Sequence, residues 1–460
     1  KNIRIMLVKI ILFNREKMTP THGFDAQVIV IGAGIAGLTA AWFLKEQGID
    51  VLVLEAEQIV GGRMKSFIVD DAIIDCGAQF LSSAYSIIPK LIEETGLIDE
   101  FINTAEWVGL VKNSNISLIH SDKPWSLVKN HILSIWDLLL LGFKQFKFIL
   151  GKKSLALNDI TQWVQYDDQL ASNWIIENFG KAAAQELTSP IFNGFYFQSL
   201  DTSSAAMAAA VLAFSAHHPR TMTLKDGIGS LPLKLAEKLT IKTGVVATEI
   251  IETSSNVKII SNRDEFKAKH AIVTTPAPIT KNLIINPDKE TSTLFNTPYS
   301  SSMLISFLTH EDWSPPSSIC SAYGFLFNPC SDSKIAAFTI ENKKCFTRKK
   351  SGYLLNIMLT DKWAKNFFHL TDESIYSEIQ TDIENILPKL YIMSYKKVLF
   401  RWPYAMPCTP IGRAKAVTEY RQTRTSNVRI WLAGDYLGFP WADSAAQTGL
   451  WASEQVKKYL

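Results

Sequence analysis

The sequence is poor in the features that would give it a disulfide framework, a metal or a nucleic-acid partner. Its five cysteines, Cys76, Cys320, Cys330, Cys345 and Cys408, are odd in number and scattered, with neither a C-x-x-C pair nor cysteine–histidine metal spacing. Disulfides and a structural metal are therefore not expected, and a reducing, cytoplasmic compartment is. Charge is almost balanced, 47 basic against 44 acidic residues for a formal +3, and no basic block is interleaved with aromatics. That argues against nucleic acid.

Long apolar runs are scarce as well. His131–Leu150 comes nearest to a membrane span but carries Asp137, Lys144 and Lys147. Its periodicity reads as a helix covering the core of its own domain; a helix lying on a membrane surface, a peripheral contact, is the other reading. Ile3–Phe13 is apolar, but Arg4 and Lys9 interrupt it and no small-residue cleavage site follows. Met18 and the polar lead after it look like a natural start, so residues 1–22 are set aside as an N-terminal extension. No nucleophile–base pair is visible either. His217 and His218 are adjacent, and on a helix would point about 100° apart.

What the chain does have is size, with 47% hydrophobic residues in 460, enough for two domains and a large core. It also has one dense stretch, Gln27–Arg63. Val28–Ile31 is an unbroken β-branched run, as in a strand buried on both faces of a parallel sheet. Gly32, Gly34 and Gly37 follow as G-x-G-x-x-G, with Ala36 inside the motif. The first glycine allows the tight turn, the second lets backbone approach a diphosphate, and the third lets helix pack on strand. Leu38–Gln47 reads as the helix, stopped at Gly48, and its N-terminus favours an anion. Val51–Leu54 is the second strand. Glu55 stands at its end, where a carboxylate accepts hydrogen bonds from an adenosine ribose.

Ala56–Arg63, AEQIVGGR, resembles the segment after the second strand in the flavin-containing amine oxidase superfamily, which includes monoamine and polyamine oxidases, protoporphyrinogen oxidases and carotenoid desaturases. Gly62 would let backbone pass close to the cofactor and Arg63 could pair with its phosphates. Gly77-Ala78-Gln79-Phe80 is similar to the turn that runs beside the flavin ring in these oxidases. Asp226–Pro232 resembles the glycine turn with which such chains re-enter the cofactor domain, before a helix over 233–239. A strand over 241–249 follows, with Val246 at the position whose backbone meets adenine. Val428–Leu432 leads into Gly434 and Asp435, and Asp443–Ala452 reads as a helix with an acidic cap. The resemblance implies that Asp435 holds the ribityl or diphosphate portion, and that Ser444 and Ala445 face the flavin pyrimidine.

The resemblance implies an α/β fold class, a Rossmann-type FAD-binding domain with an interleaved α+β substrate domain. The FAD domain is expected over 23–96, 221–278 and 397–460; the substrate domain over 97–220, read as mostly helical, and over 279–396, read as carrying an antiparallel sheet. FAD is the expected cofactor. The expected function is hydride transfer from a small organic molecule to flavin, with oxygen or another acceptor reoxidising it. A polyene desaturase and a non-catalytic FAD-binding protein are the alternatives. Matching through Trp313 puts Met303 where amine oxidases carry a lysine near the flavin. Of the two rings that flank an amine, one matches Trp441 and the other falls near Thr409. Cys408 lies near the monoamine oxidases' flavinylated cysteine. Trp402, Tyr404 and Trp441 are the pocket candidates.

Overall fold

The computed structural model describes residues 24–150, 157–329 and 333–460. The N-terminal extension and Cys330 lie outside them. Strand β1 (Ala26–Ile31) runs into helix α1 (Ile35–Glu46), and strand β2 (Val51–Glu55) pairs parallel beside β1. The β-branched run is buried as expected, each apolar side chain contributing roughly 1.5–3 kcal/mol. Asp70 adopts a positive φ in the turn between the paired strands Ser66–Val69 and Ala72–Asp75. Helix α2 (Ile87–Glu94) follows.

The next segment is less helical than its composition predicts. Trp107–Lys112 and Asn115–His120 are strands, paired as a hairpin on the edge of a second sheet. They are short, and their other partner, Ala322–Phe327, is remote in sequence, which hides them from a reading of local periodicity. Helix α3 (Ile135–Leu150) and helix α4 (Ser189–Tyr196) come after them. The predicted strand over 241–249 divides at Gly244 into Thr240–Thr243 and Ala247–Glu252, on opposite edges of the first sheet. The helix before it starts earlier than expected, at Ser230, because proline is tolerated in a first turn.

Strand β3 (Glu265–Val273) pairs parallel with β1. The chain then builds the second sheet around β4 (Tyr299–Thr309), β5 (Leu354–Leu359) and β6 (Ser394–Pro407), all antiparallel neighbours. Pairing in that sheet continues to Pro407, beyond the boundary expected at 397. Helix α5 (Arg413–Gln422), strand β7 (Ile430–Leu432) beside β3, and helix α6 (Ala442–Lys458) complete the first layer. Among the described residues no helix is long and apolar enough to cross a membrane, and no cluster of side chains could hold a metal ion.

Candidate active site

The glycine motif makes an open cradle. A Cβ on Gly37 would meet the Gly32 carbonyl at 2.0 Å, so glycine is required for α1 to sit on β1. A Cβ on Gly34 would meet nothing within 4 Å, and no side chain caps α1. An uncapped helix N-terminus beside open space is suited to a phosphate. Glu55 steadies the rim. Its Oε2 accepts from Ala33 N at 2.7 Å and its Oε1 from Glu57 N at 2.9 Å, with Ala56 exposed between them. Val246 lies at the same rim, 41% exposed, its N–H and carbonyl both bonded to Asn262.

Arg63, just after Gly62, makes a two-pronged pair with Asp435 at 2.7 and 2.9 Å and also donates to the Ala405 carbonyl. Burial works against its charge, but Asp435 wins and raises its pKa. Gly434 turns β7 into this pair, and its N–H donates to Thr448 Oγ1 of α6. The ion pair joins the two ends of the cradle.

Gly77–Phe80 runs alongside. Ala78 N donates to the Arg63 carbonyl at 2.8 Å, and Gln79 Nε2 donates to the carbonyls of Asp75 and Gly77. Gln79 Oε1 accepts from Asn356 of β5, which in turn accepts from Ser306 of β4 at 2.6 Å. Beneath the turn, Asp75 binds Lys344 at 2.6 Å, Arg348 at 3.0 Å, Ser66 and Ile228 N, and Glu341 takes the other side of Lys344. All four charged groups have zero exposure. Burial alone would raise the Asp75 pKa; Arg348 and Lys344 hold it below the usual range.

Trp402 reaches the same turn, donating from Nε1 to the Cys76 carbonyl at 2.7 Å. Trp441 packs against Phe439, Phe214 and Tyr196, and Phe195 carries the contact on from Tyr196 to Phe80. An aromatic wall therefore runs from the Gly77–Phe80 turn to the start of α6. Tyr404 stands apart from it, edge-on to Tyr299. Tyr196, on α4, is the ring beside Trp441 that sequence reading misses, because nothing in its helical segment ties it to a residue so remote in sequence.

Two expectations are corrected. Asp443 does not cap its own helix, which starts after Trp441 with no side-chain cap. It accepts from Ser86 N, Ile87 N and Ile88 N and so caps α2, with Asn158 as a fourth donor. Met303 packs in the apolar cluster of Phe307, Trp313 and Trp363, on the face of β4 opposite Leu304 and Ser306. Thr409, where the resemblance puts the second ring, is buried, with its N–H bonded to Gln198 and its carbonyl to Ser204 N. Ser444 accepts from Phe439 N and donates to the Asn158 carbonyl, with Ala445 buried behind it. Burial pushes the Cys408 thiol up to about 11, so it is no ready nucleophile.

The open cradle at Gly34, the uncapped starts of α1 and α6, and an unpaired nitrogen on buried Arg413 fit an anionic dinucleotide lying between the two ends. A separate cleft lined by Leu110, Lys112, His131 and Glu186 shares none of these residues.

The chain is 28% identical over 170 residues to protoporphyrinogen oxidase 2 (chloroplastic/mitochondrial) of Arabidopsis thaliana, covering 36% of this chain and 32% of that protein. It is 30% identical over 184 residues to the mitochondrial protoporphyrinogen oxidase of Nicotiana tabacum, covering 38% and 35%. The chain thus spans about a third of the length of these relatives. Cyclohexylamine oxidase from Brevibacterium oxydans shares the fold, with a TM-score of 0.74 at 16% identity over 94% of this chain and 99% of that one. The family of flavin containing amine oxidoreductases matches residues 35–457, and the chain belongs to that family of FAD-using oxidoreductases.

Proposed function

We propose that this enzyme removes a hydride from a carbon of a cyclic or conjugated apolar substrate, and that oxygen or another acceptor reoxidises the flavin. One observation carries the reading: among the described residues, the side chains that hydrogen-bond to Gln79 or pack ring to ring with Phe80 are uncharged. They are Asn356, Tyr323 and Phe195, and burial pushes the Tyr323 phenol well above 10. No carboxylate among these contacts meets an ammonium group, and the side of β4 facing them offers Leu304 and Ser306 instead of lysine.

Gly32, Gly34, Ala36 and Gly37 with the α1 N-terminus would hold the FAD diphosphate, Glu55 the ribose, and Asp435 the ribityl chain. When bound, the flavin supplies the hydride acceptor. The protein's own work is orientation and exclusion of water. Gln79 is fixed by three hydrogen bonds, the aromatic wall from Phe80 to Trp441 offers a dry surface, and the start of α6 places positive dipole where charge develops.

The discriminating experiment is anaerobic flavin reduction screened over porphyrinogens, polyenes and amines. Fastest bleaching by a porphyrinogen or polyene supports the reading; fastest bleaching by an amine replaces it. No acceleration by any of them supports the non-catalytic alternative.

A lipophilic substrate accords with a membrane surface, and α3 gives that reading a specific observation. Its periodicity predicts a helix covering its own core, yet it has no buried residue. Leu141 and Phe148 pack inward along one narrow edge, while Trp136, Phe143 and Phe146 are 76%, 65% and 64% exposed. In sequence, residues 123–153 hold Lys123, Lys129, Lys144, Lys147, Lys152 and Lys153 against Asp137 alone, a charge balance that complements anionic lipid. In co-sedimentation, the wild type is expected on phosphatidylglycerol vesicles and far less on phosphatidylcholine. F143E/F146E should remove the binding and leave urea stability within about 0.5 kcal/mol. Equal recovery of the double variant on vesicles overturns the contact.

A further inference from the structure

We propose that Arg413 is a second anion-binding guanidinium of the cofactor cleft, facing the diphosphate of FAD together with Arg63; this rests on the FAD reading of the cradle.

Arg413 opens α5 and is 5% exposed. Its guanidinium lies 5.9 Å from the ring of Tyr436, the residue next to Asp435, and its Nη2 is buried with no hydrogen-bond partner. Such a cation is costly unless an anion meets it.

The nearby carboxylates are committed elsewhere. Both oxygens of Asp435 accept from Arg63. Asp167 accepts from Ser204 Oγ through one oxygen and from Lys415 N through the other, a cap for the same helix that Arg413 begins. Asp167 and Asp435 both act on Arg413 electrostatically, yet neither accepts a hydrogen bond from its Nη2. Burial lowers the Arg413 pKa to about 10, outweighing the nearby Asp167 and Asp435. In the cluster under Asp75, by contrast, both cations pair directly with carboxylates, Lys344 with Asp75 and Glu341 and Arg348 with Asp75. A diphosphate supplies the missing acceptor, and charge-assisted bonds from a planar guanidinium suit its oxygens.

The test compares FAD with riboflavin, which carries the same ring and ribityl chain without phosphate. Both are titrated into the full chain freed of flavin, followed by flavin fluorescence, for the wild type, R413Q and R413K. R413Q is expected to weaken FAD roughly 10- to 100-fold and to leave riboflavin unchanged, with R413K recovering part of the loss. Inorganic pyrophosphate should compete with FAD on the wild type and do so far less on R413Q. Equal weakening of FAD and riboflavin, or no change in either, overturns the proposal. Should R413Q not fold, the wild type decides: failure of pyrophosphate to raise the Tm of the flavin-free chain overturns it as well. A wild type that binds no FAD refutes the cofactor reading itself, a different outcome from tight FAD binding by R413Q.

Discussion

Asp75 and Asp443 are two carboxylates with no exposure, each fastening segments far apart in sequence, and they are held by opposite means. Asp75 is met by Lys344 and Arg348, cations that outweigh its burial and lower its pKa. Asp443 is met by backbone N–H groups at the start of α2 and by Asn158. Burial dominates there and raises its pKa. A fixed cation stabilises a buried charge more than several neutral donors do, even at a helix N-terminus. The first device welds the turn beside the candidate flavin position to the second sheet; the second leaves the start of α6 without a charge partner of its own.

Breaking the ionic side should cost most. K344M leaves Glu341 without its cation and Asp75 with Arg348 alone, all fully buried. A loss of about 3–5 kcal/mol is expected in urea denaturation. An unchanged midpoint would mean that the cluster relaxes or hydrates. On the neutral side, D443A strips the acceptor from Ser86, Ile87 and Ile88, and a loss of about 1–3 kcal/mol is expected, with α2 amides exchanging faster with deuterium.

A subtler difference lies in pH, where the two should slope in opposite senses. Asp75, with its folded pKa lowered, contributes stability that is full above its unfolded pKa of about 3.9 and is lost as pH falls through the folded value. Asp443, with its folded pKa raised, contributes stability present at low pH and lost as pH rises from the unfolded towards the folded value. Urea midpoints from pH 3 to 7 for D75N and D443N, each subtracted from the wild type, should therefore tilt apart. Parallel profiles would show that both acids see similar surroundings.

Much of this was legible in the sequence. The run Val28–Ile31, the glycines after it and Glu55 announce their elements by composition and spacing, because local sterics decide them. Asp443 misled because an acid at a predicted helix start reads as that helix's own cap, and only tertiary packing brings α2 to it. Met303 misled through parity: strand side chains alternate, so a match uncertain by one residue lands on the wrong face. The bulge between Ser300 and Ser302 adds to that uncertainty. Tyr196 and Arg413 carried no local signal at all. Their significance comes from Trp441 and Asp435, partners contributed by other parts of the chain.

Where α1 and α6 cross, a Cβ on Gly449 would meet the Ala36 carbonyl at 2.1 Å. The first βα unit is thus roofed by α6, remote from it in sequence, and Arg63 and Asp435 clasp across 372 residues. A ribosome has most of the chain to make before that roof exists. During this time the apolar surface around Leu38 and Trp42 has no cover from α6, and flavin capture must follow synthesis of Gly449. Slow, non-local closure of this kind exposes the nascent chain to aggregation and to chaperones. In pulse-labelled synthesis, bound flavin should appear only with chains that include α6.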